Sequence, residues 1–389
     1  MLKKLWPYLL GSVALGLDAY VIAGLLSNIA KDLDASESII GLGVTAFTAA
    51  YALSGPILSG KAGVHARKSL VIGIIVFSLA NLATALSPNA VTFILSRVIA
   101  GSAAGVYSPL SSAVAAHSVP EEKSGKALSL VLAGLALGTV LGVPTGLIIA
   151  TNFGWRLTIA MITAIGLIAL LGVALNKKQT VPTIPASSFK ERAKVMAKKT
   201  NIFTILVTLF VGTASLGLYT YISTVLAHTP LDNHQIVGIW VWGIGGAIGA
   251  FGVGHLLDGF RKPRTLTLSI ICAMALSFIA ILYGATNMIV VVAAIFAWGL
   301  LGWSSLAPQQ KTLLETNPSD GATAVAANSS ANYLGSALGS ALGALVVPNF
   351  DFLLWGALAF VLLGGIMHGF AVREEKRASY VQPHNSATV

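Results

Sequence analysis

Charge is scarce in this chain. Asp, Glu, Lys and Arg make up 10% of its 389 residues, where soluble domains carry roughly 25%. With 55% hydrophobic residues and a mean hydropathy of +0.82, the surface it would offer to water is too apolar for a soluble fold. It reads as an integral membrane protein. Cysteine occurs once, at Cys272, which excludes an intramolecular disulfide and a cysteine-based metal centre. Acidic residues are the rarer sign, 14 against 24 basic ones. The net charge of +10 does not point to nucleic acid, because the cations cluster between apolar spans and act there as topology signals. His65, His117, His228, His234, His255, His368 and His384 fall in loops, at span ends or in the tail. None is placed for a mid-membrane relay or a metal site, and no cofactor is expected. "GPILSGKA" (55–62) nearly fits a nucleotide-binding loop, but Ala62 replaces the Mg²⁺-binding hydroxyl and the segment follows a membrane run rather than a strand. Ser, His and acid do not converge, so no enzyme is indicated.

Long apolar runs are what the chain does have. Charges and turn residues divide it into twelve spans, near 5–27, 38–60, 68–87, 91–113, 126–150, 155–175, 202–226, 235–257, 265–285, 287–309, 321–346 and 351–371. The N-terminus imitates a secretory signal, with two lysines before an apolar run. The run continues past Asp18 to Leu26, so it reads as the first span rather than a cleaved leader. Placing both termini inside puts 21 of the 24 cations on the cytoplasmic side, leaving Lys31 and Arg156 outside and Arg97 within a span. The longest loop, 176–201, is basic and divides the chain into six plus six. Its "FKERAKVMAKKT" (189–200) suits either an amphipathic helix on the anionic inner leaflet or a solvated linker. The tail after Ala378 is polar and expected to be unstructured.

The two halves repeat. Span 5 carries Gly134, Gly138, Gly142 and Gly146 at every fourth position, and span 11 carries Gly335, Gly339 and Gly343 at the same spacing. Such a stripe lets another helix backbone approach closely. Pro144 adds a bend point within the first stripe. The stripe is expected to let span 5 slide against a partner, span 8 of the other half, although plain close packing gives the same spacing. Two loops also match. The 2–3 loop ends in Arg67 and Lys68, and the 8–9 loop places Asp258 near Arg261 and Lys262. Either loop suits a cytoplasmic gate or an ordinary topology signal.

These residues resemble the major facilitator superfamily, and within it the twelve-helix drug:proton antiporters of the arabinose-efflux and chloramphenicol-resistance type. "GLALGTVLGVPTG" with "FGWR" (153–156) is similar to the antiporter motif of helix 5 and the turn after it. "ILSRVIAGSAAG" (94–105) is similar to the helix 4 motif, with Arg97 at its arginine position. "GLDAYVIAGLLSNIAKDL" (16–33) is similar to helix 1, with Asp18 at an acidic position. The loop motif after helix 2 departs: Gly63 stands where an acid is usual and Ala66 where a glycine is usual. Gating would then depend more on the second half.

The resemblance implies an all-α fold of twelve transmembrane helices in two pseudo-symmetric six-helix bundles, both termini cytoplasmic. The expected division is 1–175, a linker 176–201, 202–372, and a tail 373–389. It implies a proton-driven exporter of small amphipathic or drug-like compounds, working as a monomer in a bacterial-type inner membrane, with small molecules, protons and lipid as partners and no nucleic acid. Export of sugars or nucleosides, or a passive pore or receptor, are the alternatives. Asp18 and Arg97 are the only mid-span charges, so they are expected to couple protons, with a permanent structural ion pair as the other reading. Tyr20, Tyr51, Tyr107, Tyr219, Tyr221, Trp303, Asn328 and Asn332, with Tyr333, Gln309 and Gln310, lie on helices that face the central cavity in this superfamily. An aromatic and amide lining suits amphipathic, weakly polar substrates. Trp6, Trp155, Trp240 and Trp242 stand near span ends and read as interface anchors.

Overall fold

The computed structural model describes residues 2–120, 124–175, 194–260, 262–284, 286–317, 321–347 and 349–381, and among them the chain is entirely helical. Helix α1 runs Leu2–Val21, tightens into a 3₁₀ turn at Ile22–Leu25 and continues over Leu26–Asp32. Then come α2 (Glu37–Val64), α3 (Ala66–Ala85), α4 (Ala90–His117) and α5 (Ser124–Leu137, Gly138–Gly142, Val143–Phe153). Helix α6 is Trp155–Leu175, and α7 is Lys199–Gly212 with Thr213–Gly217 and an outer piece, Ile222–Ala227. The rest are α8 (Gln235–Phe260), α9 (Pro263–Tyr283), α10 (Met288–Ser304, then Leu306–Thr316), α11 (Gly321–Ala344) and α12 (Phe350–Val381).

Eleven of these are long and apolar enough to cross a membrane. The other long one, α11, has 24 residues but is rich in Ser, Asn and Gly. Large apolar side chains such as Leu86, Leu95, Leu171, Leu276 and Leu362 are exposed around the helices. In lipid such a surface costs nothing, because the acyl chains around it are as apolar as the side chains themselves. Helix α12 runs on to Val381, past the tail boundary expected at 373, and His368 is buried within it rather than at its end. Of the expected amphipathic segment, 189–193 lies outside the described residues. Its end docks instead: Val195 is buried beside Leu313 and Ala324, and Lys198 Nζ donates to Asn317 Oδ1 at 3.0 Å.

The repeat is visible in the helix starts. Asn89 caps α4 by accepting from Thr92 N at 3.0 Å, and Asn287 caps α10 by accepting from Ile289 N at 3.0 Å. It is visible again in the glycine stripes. A Cβ on Gly134 or Gly138 would meet the carbonyls of Leu9 or Val13 on α1, and a Cβ on Gly335 or Gly339 those of Leu209 or Thr213 on α7. Each stripe therefore lies on the first helix of its own half. The expected partner, α8, is not the one: it reaches α5 only beside the stripe, with Gly243 looking onto Val140. Pro144 explains the local unwinding. It has no N–H for the carbonyl four residues back, and the five-residue π turn Gly138–Gly142 precedes it.

Gly154 ends α5 with φ +88°, a conformation that favours glycine, and turns the chain directly into α6. Arg156 then ties three helices at one end. Its Nη1 donates to Ala85 O and Ser87 O at 2.8 and 2.9 Å, and its Nη2 pairs with Asp32 at 2.8 Å. Trp155 also donates to Asp32, at 3.0 Å, and is buried. It is a packing residue of this end, not an interface anchor.

Candidate functional site

Asp18 sits on α1 on the side that faces α3 and α4. Its Oδ1 pairs with Arg97 Nη1 at 2.6 Å, its Oδ2 accepts from Asn81 Nδ2 at 3.2 Å, and its own carbonyl accepts from Arg97 Nη2 at 3.2 Å. Arg97 also donates to Asn81 Oδ1 at 3.3 Å and lies 4.4 Å from the ring centroid of Phe47. Asp18 and Arg97 are 0% and 1% exposed. Of the ion pairs among the described residues, this one alone has both partners fully buried. The sequence reading brought Asp18 and Arg97 together correctly and missed Asn81. The signal for Asn81 is one uncharged amide in the apolar run of α3, which hydropathy does not set apart from a packed polar residue.

Two residues further along α1, Tyr20 points the other way, since a step of two turns a helix by about 200°. Tyr20 enters an aromatic cluster between the halves. Its ring centroid is 5.6 Å from Tyr219 and from Trp303, and 6.3 Å from Trp242. Tyr219 packs on Trp242 with centroids 4.0 Å apart and planes tilted by 32°, and Tyr51 of α2 on Tyr333 of α11 at 3.9 Å and 31°. The remaining void there is about 10 Å³, one water's volume, lined by Tyr20, Val44, Thr48, Tyr219, Tyr333 and Ser336 among others. Helix α1 thus carries the buried charge on one face and the central aromatic surface on the other.

Five expected cavity residues, Tyr20, Tyr51, Tyr219, Trp303 and Tyr333, meet in this cluster. Trp242 joins them although it read as an interface anchor. It is 1% exposed and lies at the centre. The other expected lining residues are elsewhere. Tyr107 is packed inside the first half, against Gly11 of α1 and Gly73 of α3. Asn332 packs on Gly212, in its own half. Asn328 is fully buried with neither side-chain polar atom bonded. Gln309 donates to Thr267 and Gln310 to Ser329, both within the second half. The Tyr107 hydroxyl is buried without a partner, so Tyr107→Phe should leave transport unchanged and leave the melting temperature equal or raised. A thermal melt and an efflux assay check this. Loss of efflux with a normal melt would return Tyr107 to the substrate path.

Tyr221 serves a different surface. On the face opposite the termini, its hydroxyl donates to Ser340 O at 2.5 Å and lies against Gly41. Ser340 Oγ donates across the halves to Gly41 O at 3.1 Å, and Ser223 Oγ to Ala23 O at 3.4 Å. Glu37 accepts from Ser27 at 2.5 Å and, across the halves, from Thr224 at 3.3 Å. These bonds close the outer side. In a Cys272→Ala background, Glu37→Ala with Ser340→Ala should speed labelling of Val44→Cys by an impermeant maleimide several-fold. An unchanged rate would show that these bonds do not hold the closure.

Of the residues expected to gate the cytoplasmic side, Arg67 donates to Val173 O and Ala174 O at 3.3 and 3.4 Å, capping α6 in its own half. Lys68 and Lys262 are exposed. The side chains of Asp258 and Arg261 lie outside the described residues.

The profile of the Major Facilitator Superfamily matches residues 8–340. The chain belongs to that superfamily. The uncharacterized MFS-type transporter YfhI of Bacillus subtilis is 26% identical over 378 residues, covering 94% of this chain and 93% of that protein. The inner membrane transport protein YdhP of Escherichia coli is 26% identical over 331 residues, 84% of each. A chloramphenicol resistance protein of Streptomyces lividans is 28% identical over 256 residues, 64% of this chain and 65% of that one. Among solved structures, the partially occluded, inward-open xylose transporter XylE of E. coli superposes with a TM-score of 0.73, covering 95% and 97% of the chains at 17% identity, a likeness of fold alone. The superfamily member is thus a multi-pass membrane transporter for small molecules, with the expected twelve-helix fold, and not an enzyme.

Proposed function

We propose that this transporter is a proton-driven exporter that alternates between inward- and outward-open states. The observation that carries the proposal is the fully buried pair of Asp18 on α1 with Arg97 on α4, its carboxylate on the same helix as Tyr20 of the central aromatic cluster. A proton arriving from outside neutralises Asp18 and removes its pairing with Arg97. Release to the cytoplasm restores the pair. Each event changes which packing of α1 against α3 and α4 is favoured, and an equilibrium can shift only through such differential stability. Tyr20, on the opposite face of α1, carries the change to the substrate surface. The 3₁₀ turn at Ile22–Leu25 and the broken outer end of α7 give the halves places to bend. A proton moving through 100 mV supplies about 2.3 kcal/mol, and a pH difference adds to it.

The resemblance to efflux proteins and the relative named for chloramphenicol resistance support export. The relative named as an inner membrane protein supports that location. The substrates are small and amphipathic, because the central surface is built from rings. In cells stripped of other pumps, expression should lower the accumulation of such compounds, and a protonophore should restore it. Efflux that ignores the protonophore would refute proton drive.

A further inference from the structure

The central cluster has a chemical bias that its aromatic content does not by itself require. Indole N–H groups donate hydrogen bonds and accept none. Trp298, at the edge of the cluster, satisfies its own by donating to Ser215 Oγ at 3.1 Å. Trp242 Nε1 and Trp303 Nε1 are buried with no acceptor among the described residues. Both rings stand within 6.5 Å of each other and beside Tyr20. A buried donor left unpaired is costly, so a molecule bringing an acceptor gains that bond in full.

Charge is missing from the same place. No carboxylate or cation is among the residues of the cluster or its void. The nearest acid along the chain, Asp18, faces away and is engaged by Arg97 and Asn81. An organic cation there would lose its hydration and gain cation–π contact of about 2 kcal/mol, but it would find no carboxylate to neutralise it. The ring contacts between the halves point to ring shape. Tyr51 and Tyr333, of opposite halves, lie 3.9 Å apart at a 31° tilt, and Tyr20 and Trp303, also of opposite halves, lie 5.6 Å apart at 41°. When the halves part by about 3.5 Å, one ring thickness, a flat ring fits between Tyr51 and Tyr333 without loss of van der Waals contact.

We propose that the central site selects uncharged ring compounds that present hydrogen-bond acceptors to Trp242 and Trp303, and discriminates against organic cations. This rests on reading the cluster as the substrate site of the exporter. The test is equilibrium binding to the purified full chain in detergent, with no gradient present, so that it does not depend on proton coupling. The probes are chloramphenicol, coumarin and a flavanone as neutral acceptors, with ethidium and tetraphenylphosphonium as cations. The neutral compounds should bind at least about tenfold more tightly than the cations. Trp242→Phe and Trp303→Phe each keep a ring and remove an N–H, and each should weaken neutral binding about five- to tenfold. Trp298→Phe, whose N–H is already paired, should change it less than about twofold and shows whether loss of any indole is enough. Tighter binding of the cations, no binding by any neutral compound, or equal effects of all three substitutions would overturn the proposal. Gradient-driven efflux in vesicles, measured separately, bears only on the proton-driven reading.

Discussion

Asp18→Asn should abolish proton-driven transport, lowering the gradient-dependent rate at least about a hundredfold. Asparagine keeps the shape and cannot exchange a proton. It also leaves Arg97 buried at 1% exposure with its carboxylate partner gone and its Nε already unpaired. Removing one partner of a buried ion pair costs about 3–5 kcal/mol, so the single variant should also melt earlier. Both effects can be separated. Asp18→Asn with Arg97→Gln removes the stranded charge and should recover much of the stability without recovering proton drive. Vesicle transport under an imposed pH gradient, with melting temperatures alongside, checks both. Recovery of gradient-driven transport in the double variant would make the pair structural only. Substrate-for-substrate exchange needs no net proton movement and should persist wherever the variant folds.

The next largest effect should come from one methyl group. Gly138→Ala places a Cβ against Val13 O and within 2.9 Å of Leu17 N. Both are backbone atoms of α1, so no side-chain rotation relieves the clash. Helix α1 must move away from α5, carrying Asp18 with it. Overpacking of this kind costs about 3 kcal/mol. The expected result is a sharp loss of folded protein. Gly142→Ala is the internal comparison. Its Cβ has its nearest contacts in the Leu17 side chain, at 3.2, 3.3 and 3.5 Å, with no backbone atom among them, so a small shift accommodates it and the variant should fold and transport. Gly339→Ala, against Thr213 O on α7, should behave like Gly138→Ala if the halves are equivalent. Yields and melting curves read the series. Wild-type stability of Gly138→Ala would show that α1 and α5 are not held at this distance.

The contrast between these glycines shows what periodicity can and cannot convey. A four-residue repeat specifies that a flat face exists. It does not specify which helix covers the face, and the expected partner was wrong for that reason: the covering helix is α1, not α8. The spans were legible because apolar length and cation position are properties of the chain alone. The pairing of Asp18 with Arg97 was legible because opposite charges in lipid have few other partners. Aromatic residues carry no such constraint. Trp242 is the eighth residue of α8, close enough to its start to pass for an anchor, yet it packs on Tyr219 in the middle of the molecule. Tyr107 lies mid-helix and faces the interior of its own half instead of the centre. Hydropathy does not distinguish these environments, because lipid, a packed bundle and an aromatic cavity all accept a ring. Tyr221 differed by depth, since it falls beyond the break in α7 and so reaches the outer closure.

The central claim is that substrate and protons move in opposite directions through one conformational cycle. Its most direct measurement uses proteoliposomes with a pH-sensitive dye inside and no imposed gradient. Adding a transported compound outside, so that it enters down its own gradient, should drive protons out and make the lumen more alkaline. The change should vanish in Asp18→Asn and in vesicles made permeable to protons. Substrate entry with no change in lumenal pH, or with acidification, would contradict proton antiport.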